Sequence, residues 1–232
     1  MSSGRQTQDT YLKYLLSYRE YASGFFRFSS DRARTGWRER RDGLDDLERA
    51  DLLKAWALEN PANAEILRRL PALGLPQAYL VAGCLYQAVW NRQARRPVAT
   101  DIKDYDVFYF DPDTSWEAED RAIRRAADLF ADLGVAVELK NQARVHLWYA
   151  ERFGAGYPEL ASTEDGIGRY LVACTCVGIR VEDGALHAPY GLRELWDGVL
   201  RMNPVNPRPT LFRAKAESYR ARWPWLRIVG TE

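Results

Sequence analysis

The pattern of apolar and polar positions divides the chain into alternating helical and extended stretches. Apolar and aromatic residues scattered through 9–22 (Tyr11, Leu12, Tyr14, Leu15, Leu16, Tyr18, Tyr21) suit one helix, set apart as an N-terminal extension over 1–44. A second helix starts near Asp45, where Asp45, Asp46 and Glu48 favour the positive end of a helix dipole, and runs to about Glu59. Pro61 opens a third helix through Ile66, Leu67 and Leu70, which Gly74-Leu75-Pro76 ends. Ala78–Gly83 is a short apolar run bounded by Pro76 and Gly83, the signature of a buried strand, and Cys84–Gln93 follows at helical spacing.

The strongest strand signal is Asp104–Phe110. Asp111–Ser115 reads as a turn, Ser115 caps a helix running to Gly134, and Val135–Lys140 is again extended. Strand, helix, strand, helix, strand predicts a mixed sheet with at least one crossover helix. Beyond Gly154 the expected elements are a helix near Thr163–Leu171, a strand pair at Cys176–Val181 and Leu186–Ala188, and helices at Leu192–Leu200 and Leu211–Arg222. The resulting organisation is an extension over 1–44 and one domain over 45–232, its core at about 76–150 and its C-terminal portion at about 151–232.

Composition narrows the function class. Hydrophobic residues make up 47% and charged ones 28%, enough for a packed core in a water-exposed molecule. With 33 Lys plus Arg against 32 Asp plus Glu, the net charge of +1 gives no global attraction for a polyanion. The arginines between Arg27 and Arg41 read as solvated surface, with nucleic-acid contact as the alternative. Three cysteines (Cys84, Cys174, Cys176) and a polar start without the apolar core of a signal peptide lead us to expect a cytoplasmic, reducing setting. No apolar run approaches the ~20 residues that a bilayer requires, so no membrane partner is expected. Cys174-Thr-Cys176 lacks zinc-motif spacing and reads as buried strand.

The chemistry gathers at Asp104 and Asp106. Two positions apart on a strand, they project from one face with Cα atoms ~6.5–7 Å apart, a spacing at which two carboxylates converge on a hard divalent cation. Glu138, a polar residue among apolar neighbours, closes the site if its strand lies alongside. Gly83, at a strand-to-helix turn, exposes backbone N–H groups suited to phosphate oxygens. Strand parity from Glu138 puts Lys140, Gln142, Arg144 and His146 on one side; Lys103, Lys140 and Arg144 are candidate phosphate contacts, and His146 reads mainly as structural. Asn91 is a candidate for the cleft, while Ala188–Leu192 and Asn203-Pro204 read as tight turns.

A strand ending in glycine, a helix, Asp-x-Asp on the next strand and an acid on a third resembles the core signature of the polymerase-beta-type nucleotidyltransferase superfamily. More closely, Leu80–Asn91, Lys103–Asp111, Asn141–Trp148, Ala188–Leu192 and Met202–Pro204 resemble a bacterial branch of it, over roughly residues 50–226. That resemblance implies an α+β fold, a mixed sheet flanked by helices. It implies transfer of a nucleoside monophosphate from a nucleoside triphosphate to an acceptor hydroxyl, with Mg²⁺ or Mn²⁺ as cofactor. Carried over by residue, Asp104 and Asp106 hold metal, Glu138 helps hold it or activates the acceptor hydroxyl, and Gly83 gives its backbone to phosphate. Cys84 stands where the superfamily usually has Ser, a weaker donor at a phosphate-binding position. A nucleotide-binding or regulatory module without catalysis is therefore the alternative.

Overall fold

The computed structural model describes residues 43–154 and 156–230. The expected helix at 9–22 and the arginine-rich stretch lie outside them. The fold is α+β. Helix α1 (Asp46–Leu58) begins in a capping box in which Asp45 and Glu48 each accept the other's backbone N–H. Helix α2 (Pro61–Arg69) follows Asn60 as its cap and passes into a 3₁₀ turn that Gly74 ends at φ 63°. Strand β1 (Tyr79–Val81) leads into α3 (Gly83–Gln93), β2 (Asp104–Tyr109), α4 (Trp116–Phe130, capped by Ser115) and β3 (Ala136–Asn141).

Next come α5 (Val145–Phe153), α6 (Thr163–Ile167), β4 (Gly178–Arg180), β5 (Leu186–His187) and α7 (Arg193–Asp197). Strand β6 (Val199–Arg201), α8 (Pro209–Arg222) and β7 (Arg227–Val229) complete the described chain. The main sheet has the order β3-β2-β1-β4-β5, with β2 and β3 parallel across the α4 crossover and the other neighbours antiparallel. β6 and β7 form a separate parallel pair.

Each face of the main sheet has its own cluster, as period-two alternation requires. Leu80, Tyr105, Val107, Leu139 and Ile179 pack with Leu53, Trp56, Leu85 and Val89 of α1 and α3. Tyr79, Val81 and Phe108 pack on the other face with Ile167 and Cys176. Helix α8 is bolted to the back of α3: the Tyr86 and Tyr219 hydroxyls lie 2.6 Å apart, and Trp223 Nε1 donates to Asn91 Oδ1 at 3.0 Å.

Four expectations shift. Arg144 and His146 do not continue β3, because Asn141 turns its side chain onto the Ala143 N–H, starting a 3₁₀ turn that passes into α5. The helix near 163–171 stops at Ile167, and the segment after it is held by Asn203, which bonds the carbonyls of Gly168 and Tyr170. Gly198, at φ 67°, ends α7, so Val199 and Leu200 are strand rather than helix. The three cysteines are buried and free, with Cys174 in a 3₁₀ turn and Cys176 at its end. No helix among the described residues is long and apolar enough to cross a membrane.

Candidate nucleotide-binding cavity

A cavity of about 670 Å³ opens over the Asp104–Asp106 face of the sheet, within the range of small-molecule sites. Its floor is Asp104, Asp106, Phe108 and Lys140. Their common orientation follows from register: Asp106 pairs with Glu138 and with Val81, so these side chains rise from one face.

One wall is the turn from β1 into α3, formed by Ala82, Gly83, Tyr86 and Gln87. Ala82 adopts φ 63°, ψ −130°, a conformation that costs a non-glycine residue of order 1–3 kcal/mol. Its N–H donates to Val177 O and its carbonyl accepts from Leu85 and Tyr86. The Gly83 and Cys84 N–H groups at the helix start thus have no intrahelical partner, the usual condition of an anion-binding terminus. A Cβ on Gly83 would lie 2.6 Å from Gln87 Nε2, so any larger residue there must push the Gln87 amide aside.

The adjoining wall is α8, whose Lys215, Ser218, Tyr219 and Arg222 fall on one helical face. The Arg222 guanidinium lies 4.4 Å over the Trp223 ring and donates to Gln87 Oε1 at 3.1 Å. None of Lys103, Lys215 and Arg222 forms an ion pair with a carboxylate among the described residues. Lys215 is exposed at the rim, yet the protein crowding its ammonium lowers its pKa, and repulsion from Arg222 lowers it further against the pull of Asp104 and Asp106. Sequence pattern alone left these residues on an unremarked C-terminal helix; their 215-218-219-222 spacing was the available signal.

The far end is aromatic. Trp148 and Tyr149 of α5 meet Tyr157, with the Tyr149 and Tyr157 rings 4.2 Å apart at 31°. Tyr170 joins them from the segment after α6, its ring edge-on to Phe108 and its hydroxyl buried without a partner.

Several sequence candidates lie elsewhere. Cys84 is fully buried, its thiol donates to Val81 O at 3.3 Å, and it does not line the cavity. Burial, followed by the charge of Asp106, pushes its pKa well up. Arg144 is ion-paired with Glu119 of α4, which also accepts the Asn141 N–H, and does not line the cavity. His146 lies on α5 outside the lining, with Nδ1 unpartnered. Asn91 faces inward, donating to the Val98 and Thr100 carbonyls and so bracing the loop before β2.

Glu138 shares the aspartates' face but stands at the sheet edge, half-exposed. Between it and Asp106 lies the Lys140 ammonium, 2.7 Å from Asp106 Oδ1 and 3.0 Å from Glu138 Oε2. Asp106 is mostly buried, which raises its pKa despite Lys140, with Asp104 and Glu138 adding repulsion. Burial opposes charge on Lys140 as well, but Asp106 and Glu138 outweigh it and raise its pKa. Among the described residues no three His, Cys, Asp or Glu side chains converge closely enough to hold a metal. The Asp104–Asp106 pair suits one cation of the Mg²⁺ type, bound through one or two carboxylates together with substrate phosphates.

Comparison with known proteins agrees with this architecture. A family model described as "Nucleotidyltransferase" matches residues 68–228. A solved structure described as revealing a CCA-adding enzyme head domain is similar at 27% identity and TM-score 0.63, covering 78% of this chain and 95% of that one. No curated protein matches the chain.

Proposed function

The chain belongs to the nucleotidyltransferase family, and on that premise we propose that it transfers a nucleoside monophosphate from a nucleoside triphosphate to an acceptor hydroxyl, with Asp104 and Asp106 as its cation ligands. The carrying observation is that this pair lines the same cavity as the Gly83 turn and the cationic face of α8. A polyanion fits this combination: the N–H of the Gly83 turn, with Lys103, Lys215 and Arg222 lining the same cavity. The aromatic end suits a base, since stacking on Tyr, Trp or Phe is worth about 1–3 kcal/mol per base.

A divalent cation, Mg²⁺ or Mn²⁺, would supply neutralisation of phosphate charge and polarisation of the reacting oxygens. The chain's own residues do the rest. Gly83 holds a phosphate oxygen through its backbone N–H, so loss of a hydroxyl at position 84 does not remove the anion site. Lys215 and Arg222 hold the terminal phosphates, which are the leaving group. To Glu138, at the open sheet edge, we assign activation of the acceptor hydroxyl.

The test is a screen of labelled nucleoside triphosphates with Mg²⁺ or Mn²⁺, read as pyrophosphate release, against Asp104→Ala/Asp106→Ala protein. Small hydroxylic molecules and nucleic-acid 3′ ends both belong among the acceptors, the latter because the structural neighbour is described as CCA-adding. Equal signals from the two proteins would refute the assignment. The inward thiol of Cys84 and the engagement of Glu138 by Lys140 favour one second reading, a nucleotide-binding regulatory module. Its mark is Mg²⁺-dependent nucleotide binding without pyrophosphate release.

A further inference from the structure

Lys140 occupies the gap between two acids on adjacent strands. Asp106 and Glu138 are direct cross-strand partners on β2 and β3, and like charges so placed are destabilising without a cation between them. Lys140 lies two positions along β3, hence on the same face, and its ammonium reaches both carboxylates at 2.7 and 3.0 Å. A second divalent cation bridging the two strands would have to stand where that ammonium is. The charge count points the same way: one divalent cation and one ammonium balance three carboxylates.

We infer that this site holds a single divalent cation, on Asp104 and Asp106, and that Lys140 is its permanent second cation, bridging Asp106 and Glu138. The inference rests on the proposed function and refines it. Lys140 is a positioning residue: it fixes the Glu138 carboxylate beside Asp106 and sets a constant positive charge on the acceptor side of the site. An ammonium has three donors, and two are spent on the acids, which leaves one for an oxygen of the bound substrate. Unlike a second metal ion, this charge does not depend on cation concentration.

Manganese counting tests this directly. The full chain is titrated with Mn²⁺ in the presence of α,β-methylene ATP, with bound ion read from loss of the free Mn²⁺ paramagnetic resonance signal. Wild type is expected to bind one Mn²⁺ per chain, and Lys140→Arg also one. Lys140→Met is expected to bind two, with spin coupling characteristic of ions about 3.5–4 Å apart, and Lys140→Met/Glu138→Gln to return to one. Circular dichroism confirms that each variant is folded; should Lys140→Met not fold, the wild-type, Lys140→Arg and Glu138→Gln counts decide. Glu138→Gln alone is expected to leave the wild-type count unchanged. Two coupled ions in wild type would overturn the inference while leaving the proposed function standing, as would a folded Lys140→Met that stays at one. A wild-type chain that takes up no manganese–nucleotide complex would remove the proposed function, and the inference with it.

Discussion

Replacing Asn203 with alanine should destabilise the protein by about 3 kcal/mol, through loss of hydrogen bonds rather than of apolar contact. Asn203 is fully buried. Its Nδ2 donates to the carbonyls of Gly168 and Tyr170, each at 2.7 Å, and its Oδ1 accepts from the Tyr190 hydroxyl at 2.7 Å and the Val205 N–H at 3.0 Å. These four bonds do not weigh equally. The Gly168 carbonyl keeps a donor in the Tyr190 hydroxyl at 3.1 Å, and exposed Val205 can find water. The Tyr170 carbonyl loses its side-chain donor, and an orphaned buried group costs about 1–3 kcal/mol. The remaining lost bonds contribute about 0.5–1.5 kcal/mol each, less where water compensates. For a chain of this size each kcal/mol lowers Tm by about 2–4 °C, so a fall of about 6–12 °C is expected. Urea unfolding followed by tryptophan emission and by far-ultraviolet circular dichroism measures it, with Tyr190→Phe expected to cost about 1 kcal/mol. A loss below about 1 kcal/mol for Asn203→Ala would refute the reading that Asn203 holds the segment after α6 in place.

Other outcomes follow from the same geometry. Asp104→Asn and Asp106→Asn should each reduce nucleotidyl transfer by at least about 100-fold, as loss of a charge-stabilising group typically does, while unfolding midpoints stay close to wild type. Gly83→Ala displaces Gln87, and with it the Gln87–Arg222 bond, so nucleotide affinity measured by calorimetry should fall several-fold. Cys84, Cys174 and Cys176 are buried with pKa values raised by burial, Cys176 to about 12; Ellman's reagent should find no rapidly reacting thiol among them until denaturant is added. His187 has a buried Nε2 without a partner, and burial lowers its pKa. Its neutral form is thus favoured by folding, and stability should be lost as pH falls below the unfolded value of about 6.5. His187→Gln should flatten stability measured between pH 7 and 5.

Much of the core was legible because local signals agreed with tertiary need. The Asp45 and Ser115 caps, Pro61 at a helix start, and glycine stops at 74 and 134 mark real boundaries. Period two fixed which residues of β2 share a face, so Asp104 and Asp106 could be paired from their spacing alone. The path after Lys140 was not legible. Only a side-chain cap by Asn141 turns the chain from strand to helix there, and that separates Arg144 and His146 from the cavity. The wall formed by α8 was hidden for a different reason. Lys215 and Arg222 look like ordinary solvated positions until the Tyr86–Tyr219 and Asn91–Trp223 contacts bring α8 against α3.

The Arg222–Trp223 stack makes the cavity optically self-reporting. A guanidinium that leaves the indole face to meet an anion changes the electric field on a fully buried chromophore, so ligand capture should register as a shift in native emission without any attached dye. Because Trp223 also braces Asn91, the surroundings of this indole are coupled to the loop leading into β2.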